Sequence, residues 1–146
     1  MSLNEAILDL GSLIELKGSE TTGDSISRAL GTEQSNITMR GCLKAYNNKA
    51  RAHLECRGML LSKEATMDAI PELLVVGAPE ADLTHEAAVG PVDEEVVEYL
   101  MARGFKQDEA VSAILQGFMH TGIKGLPEIL EEILSKTFSN MSEKII

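Results

Sequence analysis

The side chains that could do redox or metal chemistry are few in this sequence: two cysteines, three histidines and a glutamate beside one of the histidines. Cys42 and Cys56 are fourteen residues apart and neither belongs to a CxxC pair, so the sequence offers neither a zinc ribbon nor a thioredoxin motif. His85 and Glu86 are adjacent in a strand-like segment, where successive side chains point to opposite faces of a sheet. We therefore expect that this pair does not bind one ion together, and it does not form an HExxH zinc site.

Cys56 lies in the segment HLECRGMLL, whose pattern is typical of a strand. Alternation places Leu54, Cys56 and Gly58 on one face, which favours a buried cysteine that fills space in a core. His53 and Glu55 belong to the other face, and we expect His53 to be solvated there.

Composition and motifs exclude several classes of protein. The net charge of -10 repels phosphate backbones, and five aromatic residues offer few stacking platforms, so no nucleic-acid partner is expected. No apolar run is long enough to span a membrane, and the N-terminus lacks the features of a secretory signal, so a cytoplasmic location is predicted. The sequence has no phosphate-binding glycine loop, no GxSxG and no Ser-His-Asp order, so we expect no catalytic residues and no enzyme.

The chain changes its periodicity near Gly90, which divides it into a predicted β part, residues 1–90, and a predicted helical part, residues 91–146. The β part consists of short aliphatic or β-branched runs separated by polar turns. In the helical part, Asp93 can cap a first helix that ends at Gly104, a second helix begins near Gln107, and Pro127 opens a third. The expected fold class is mixed, with β structure first and α structure second.

Two of the strand-like runs resemble each other. The segment 39–44, MRGCLK, aligns with the segment 56–61, CRGMLL, at an offset of seventeen residues. Such a short period is produced by stacked β coils, but two sandwich strands that share a turn residue would give the same match. The internal pattern alone leaves both architectures open.

Several ordered motifs resemble the C-terminal part of the SufB/SufD family, which supplies scaffold components of iron-sulfur cluster assembly. The similarity extends over about residues 24 to 135. The motifs that carry it are Leu60-Leu61, Ile70-Pro71, the run HEAAVG from His85 to Gly90, Tyr99-Leu100-Met101, Arg103-Gly104-Phe105, Glu109-Ala110 and Gly117-Phe118.

The resemblance implies a right-handed parallel β-helix of few coils followed by a small C-terminal helical domain. It also favours stacked coils as the explanation of the seventeen-residue match. Family members pair through the β-helix, so the implied partner is a second copy or a SufB/SufD paralogue. Their helical domain docks an ABC-type ATPase, called SufC, and they are not ATPases themselves.

The resemblance further implies three candidate ligands of a transient iron-sulfur cluster. In the SufB branch, a cysteine before the LL segment and the glutamate of the HEA motif handle the cluster, and these positions match Cys56 and Glu86. In the SufD branch the residue at the position of His85 contributes from across the subunit interface. Because His85 and Glu86 should face opposite ways, we expect Glu86 to lie beside Cys56 and His85 to face a partner chain.

Three functions follow as hypotheses. The first is an iron-sulfur assembly scaffold that pairs through its β part and docks an ATPase through its helices. The second is an interaction module with the same two contacts and no metal. The third, a β-helix hydrolase, usually has clustered acidic residues on its strands, which the β part of this sequence lacks.

Overall fold

The computed structural model of the protein describes residues 6–78, 80–120 and 126–145, and the chain divides into two units, Met1–Pro91 and Val92–Ile146. The elements of the first unit are six strands: β1 Ile7–Leu16, β2 Thr22–Gly31, β3 Asn36–Ala45, β4 Arg51–Leu60, β5 Thr66–Val75 and β6 Asp82–Pro91. Those of the second are three helices: α1 Glu94–Ala102, α2 Gln107–Met119 and α3 Glu128–Ile145. The predicted order of β structure followed by α structure is confirmed.

The six strands form two parallel three-stranded sheets through which the chain alternates. One sheet has the order β1-β3-β5 and the other the order β2-β4-β6, so each strand pairs with the strand two places along the chain. Ile7 pairs with Asn36 and Thr22 pairs with Arg51, and all four strand pairings are parallel. Each strand is therefore connected to its hydrogen-bonded neighbour through a strand of the other sheet.

Alternation of apolar and polar residues in the two middle strands builds the core. Every second residue from Ile37 to Ala45 of β3 is buried, and so is every second residue from Ala52 to Gly58 of β4. The buried residues of both sheets form one cluster, so each sheet has an inner face turned to the core and an outer face. Gly41 marks how closely the sheets approach, since a Cβ there would lie 2.5 Å from Leu54 Cδ1.

The inner faces are incompletely covered at both ends of the sheets. Leu8 and Leu10 of β1 are 43% and 48% exposed, although Ile37 and Met39, which pair with them in β3, are buried. At the other end, Val89 of β6 is 39% exposed. The first and last strands thus carry apolar inner-face positions that this chain alone leaves open to solvent.

Two details of the predicted β part differ in the structure. The runs AILDL and SLIELKG form the single strand β1, because the backbone stays extended through Gly11. The seventeen-residue match joins β3 to β4, which belong to different sheets, whereas the hydrogen-bonded strands pair at offsets of 29 to 31 residues. The shared MRG and CRG sequences therefore do not mark neighbouring strands.

The helical unit follows the predicted capping signals. Asp93 caps α1 by accepting a hydrogen bond from the backbone N–H of Glu95 at 2.9 Å, and Gly104 beyond its C-terminus has a φ of 101°, which glycine adopts without strain. At the start of α2 the Glu109 carboxylate accepts a hydrogen bond from the backbone N–H of Lys106, as in a capping box. Among the described residues, no helix combines the length and apolarity that crossing a membrane requires.

Candidate functional site

Cys56 lies in the core, on the inner face of β4. Its side chain is fully buried, and it belongs to the same cluster as Leu43 and Leu54. Burial raises the pKa of the Cys56 thiol, an effect that a hydrogen bond with Ser27 partly opposes. A protonated thiol without solvent contact is a poor nucleophile and a poor metal ligand. The expectation that Cys56 fills space in a core is confirmed.

The register of β6 against β4 fixes the directions of His85 and Glu86. His85 pairs with Leu54 and Glu86 pairs with Glu55, so the two side chains point to opposite faces, as alternation predicts. Leu54 is an inner-face residue, so His85 shares the face of Cys56, and its side chain is exposed where that face is open. The expectation that Glu86 lies beside Cys56 is wrong. Glu86 is on the outer face because its partner in the register is Glu55.

Glu86 belongs to a cluster of charged residues on the outer face of β2, β4 and β6. An Arg57 Nη2 atom lies 2.6 Å from Glu86 Oε1 and 3.6 Å from Glu55 Oε2. On its other side, Glu55 makes an ion pair of 2.5 Å with Arg28, and these two side chains are 14% and 13% exposed. Two carboxylates therefore lie between two guanidinium groups, and the hydrogen bond with Glu86 raises the pKa of Arg57.

His53 extends this cluster along β4. It shares the outer face with Glu55, as predicted, but it is half-buried instead of solvated. Its Nδ1 atom lies 2.9 Å from Thr84 Oγ1, and the Thr84 hydroxyl donates to the carbonyl oxygen of Ala52 at 3.5 Å. A ring nitrogen of His53 and one carboxylate oxygen each of Glu55 and Glu86 all lie within 4.8 Å of one another.

The predicted cluster ligands do not form one site within this chain. Cys56 and Glu86 lie on opposite faces of the same sheet, and the only other cysteine, Cys42, is in the other sheet. Burial raises the pKa of Cys42 too, and Glu72 beside it adds to the effect. Iron-sulfur clusters are held by thiolates, so the donors of this chain alone do not fit such a cluster.

Sequence reasoning missed the contribution of Arg57 and Glu55 to the surroundings of Glu86. The signal was present, because His53, Glu55 and Arg57 alternate in one strand and must share a face. It could not be used without the register, which alone shows that Glu86 is the cross-strand neighbour of Glu55.

The fold and the site define a β-then-α protein whose paired parallel sheets present a charged cluster on one outer face. Residues 1–118 match the family model described as "SUF system FeS cluster assembly, SufBD core domain". The chain belongs to the SufBD family.

Relatives from archaea support this assignment. The chain is 41% identical over 144 residues to an iron-sulfur cluster assembly SufBD family protein of Archaeoglobus fulgidus, which covers 99% of this chain and 38% of that protein. It is 42% identical to one from Methanothermobacter thermautotrophicus, covering 84% and 30%, and 35% identical to one from Pyrococcus horikoshii, covering 86% and 28%. The chain spans about a third of the length of these relatives.

Proposed function

We propose that the protein is a scaffold component of iron-sulfur cluster assembly in the cytoplasm. In this proposal the β unit pairs with a second copy or a SufB/SufD paralogue, and the helical unit docks a SufC-like ABC ATPase. The observation that carries the proposal is the open inner face at the last strands of the β unit, in a chain that belongs to the SufBD family.

The proposal includes a right-handed parallel β-helix, with the two sheets as two of its faces. Alternation of the chain between the sheets supports it, because each sheet gains one strand every 29 to 31 residues. Parallel strands of one sheet that are joined by a crossover are right-handed in about 98% of cases, which supports the hand.

Exposed inner-face residues of β6 support pairing at this end of the β unit. Val89 and His85 lie on the inner face of β6, and both side chains are exposed. A partner strand laid against this end would cover Val89 and would place His85 at the contact between the chains. In this proposal His85 ligates a cluster whose thiolates come from a SufB/SufD paralogue, because the buried Cys56 offers none in this chain or in a second copy of it.

Exposed apolar residues of the helical unit support the ATPase contact. In α1, Tyr99 is 57% exposed and carries the guanidinium of Arg103 at 4.7 Å from its ring centroid. The first turns of α3 expose Ile129 and Ile133. Aromatic and arginine side chains of this kind are enriched at the energetic centres of interfaces.

Light scattering and a pull-down with a SufC-like ATPase test the two contacts separately. We expect a pair that Val89→Glu dissociates, because a charge would be buried at the contact. Leu13→Glu is the matched control, since Leu13 is an exposed aliphatic residue of β1 on an outer face at the other end of the sheets. A monomeric wild-type protein that also fails to retain the ATPase would overturn the proposal.

A metal-free interaction module is the second candidate function. Two observations favour this candidate. Cys56 is buried and Glu86 forms an ion pair with Arg57, so neither of these predicted ligands is available to a metal. Anaerobic reconstitution of the paired protein with iron and sulfide separates the candidates. An absorbance band of a cluster that weakens in His85→Ala supports the scaffold with a ligand from this chain, whereas the absence of any cluster band in the wild-type pair supports the metal-free module.

A further inference from the structure

The sheet that contains β1 ends in two outer strands, β1 and β5, among the residues that the structure describes. The backbone N–H groups of Asn36 and Tyr46, at either end of β3, donate to the carbonyl oxygens of Ala6 and Leu16. Because backbone groups alternate in direction along a strand, the even-numbered residues of β1 point to β3 and the odd-numbered residues point away from it. The outer edge of β1 therefore presents a row of N–H and C=O groups to a further strand.

The outer edge of β5 is closed to a further strand by Pro71. Thr66 and Val76 donate their N–H groups to carbonyl oxygens on the β3 side at 2.8 Å, so Pro71, an odd-numbered residue, points away from β3. Proline has no N–H and is one of the devices that stop strand addition at an edge. β1 contains no proline. A contact through this sheet can thus use β1 and not β5, which excludes head-to-tail stacking of copies and leaves a closed pair that joins β1 to β1.

β1 also exposes apolar side chains on both of its faces. On the outer face Ile7 and Leu13 are 86% and 58% exposed, and on the inner face Leu10 is exposed as well. A cavity of about 250 Å³ that Leu10 and Ile26 help to line lies between the first strands of the two sheets. A strand laid along β1 would cover these side chains and the mouth of the cavity.

A second copy of β1, laid antiparallel, complements the first in one register. With Leu10 on the two-fold axis, Ile7 of each copy lies opposite Leu13 of the other. Asp9 lies opposite Gly11, so its carboxylate meets neither a charge nor a large apolar side chain of the second copy. Apolar cross-strand pairs stabilise a sheet, and this register forms them on both faces.

Neighbouring registers place the charges of β1 badly. With Asp9 on the axis two carboxylates lie directly opposite each other, and with Ser12 on the axis Asp9 lies opposite Glu15. With Gly11 on the axis, both acidic residues lie opposite apolar ones. Like charges directly opposite each other on neighbouring strands are destabilising. The favoured register keeps the ion pair of 2.9 Å between Asp9 and Arg40, so the charge pattern of β1 fits a second copy of the same strand.

We propose that two copies of this chain associate antiparallel through β1, with Leu10 at the two-fold axis, so that their two three-stranded sheets become one continuous sheet. The contact lies at the opposite end of the β unit from β6 and does not require the proposed scaffold function. One pair of strands buries less than about 1,200 Å², which is typical of weak interfaces, so we expect a dissociation constant on the order of 0.1 mM. In protein at about 1–10 µM this contact is open, and tests of the β6 contact are unaffected.

Disulfide cross-linking tests the register on the full chain. Leu10→Cys and Leu8→Cys each place a thiol on the inner face of β1, at positions of similar exposure, and both variants carry Cys42→Ser to remove the half-buried native thiol. In the favoured register the two copies of residue 10 have Cα atoms about 4.5 Å apart, which a disulfide can span, whereas the two copies of residue 8 lie about 14 Å apart. We expect the cross-link in Leu10→Cys at about 0.2 mM protein to form about tenfold faster or more. Equal rates in the two variants, or no cross-link in Leu10→Cys, would overturn the proposal.

The same measurement in the presence of Val89→Glu separates this contact from pairing at β6. We expect the cross-link to persist, because the two contacts use different ends of the β unit. Its loss would overturn the proposal. A chain that does not pair through β6 but still forms the cross-link would contradict the proposed function and leave the β1 contact supported.

Gly11→Pro tests the strand pairing itself by sedimentation equilibrium. The Gly11 N–H points away from β3, so its removal breaks no hydrogen bond of the sheet, as with Pro71 in β5. The favoured register uses this N–H twice, once in each copy, and we expect association to weaken about tenfold or more. Glu15→Pro is the matched control, because its N–H belongs to the same edge but lies outside the paired residues 7–13. Equal weakening by both substitutions would overturn the proposal.

Circular dichroism melting verifies that both proline variants are folded. Amide hydrogen exchange shows what covers the edge in each state. We expect the Gly11 amide to exchange rapidly in dilute protein and to become protected as the concentration rises. Protection that is already present in the dilute monomer would show that another segment of the same chain covers β1, and would overturn the proposal.

Discussion

Replacing Cys56 by serine separates a core residue from a cluster ligand. The Cys56 side chain is fully buried in the cluster that joins the two sheets. A serine hydroxyl in this position needs a hydrogen bond, which Ser27 can satisfy only in part, so we expect a loss of about 1–3 kcal/mol in the free energy of unfolding. Cys56→Ala loses a group of about methylene size and should cost about 1 kcal/mol.

The decisive result is which of the two variants, Cys56→Ser or Cys56→Ala, is the less stable. If Cys56 acts through burial, Cys56→Ser is less stable than Cys56→Ala although serine is the larger residue. For a unit of this size each kcal/mol lowers the melting temperature by roughly 4–8 °C, so Cys56→Ser should melt about 4–24 °C below the wild type. Urea denaturation with amide hydrogen exchange in β3 and β4 reports on this unit separately from the helices.

A ligand role predicts a different pattern. Both variants would then keep the stability of the metal-free protein and lose iron-dependent absorbance to the same extent. A Cys56→Ser protein that melts within about 2 °C of the wild type would therefore refute the reasoning that assigns this thiol to the core.

Two further predictions concern thiol reactivity and acid stability. Ellman's reagent should modify the half-buried Cys42 first, and Cys56 only when the β unit unfolds; simultaneous modification without denaturant would contradict the burial of Cys56. The hydrogen bond from Arg40 lowers the pKa of Asp9 below its ordinary value. The pair therefore stabilises the protein at neutral pH, and this contribution is lost as the pH falls through the lowered pKa of Asp9. Arg40→Gln should show a smaller loss of stability between neutral and acidic pH in urea denaturation, and identical pH profiles would refute the pairing.

Local features of the fold were predictable because they depend on neighbouring residues. The alternation around Leu54 and Cys56 predicts a strand with a buried face, and Asp93 and Gly104 predict the ends of α1. The β-then-α order follows from the change of periodicity near Gly90.

The partners across the sheets could not be predicted in the same way. A strand that slips by one residue turns every side chain to the other face, and the sequence between strands does not fix the register. The neighbour of Glu86 was therefore expected to be Cys56, whereas the structure pairs it with Glu55. The role of Arg57 depends on the same register and was missed for the same reason.

The constant spacing of the strand pairings has a consequence for how the β unit folds. Among the strands that the structure describes, every pairing joins residues 29, 30 or 31 positions apart, and none joins the first strand to the last. The entropy of closing a loop depends only on the logarithm of its length, so each pairing carries nearly the same entropic cost. Folding can thus begin at any two successive strands of one sheet and extend in both directions, and its rate depends on closing one loop of this length instead of bringing distant ends together.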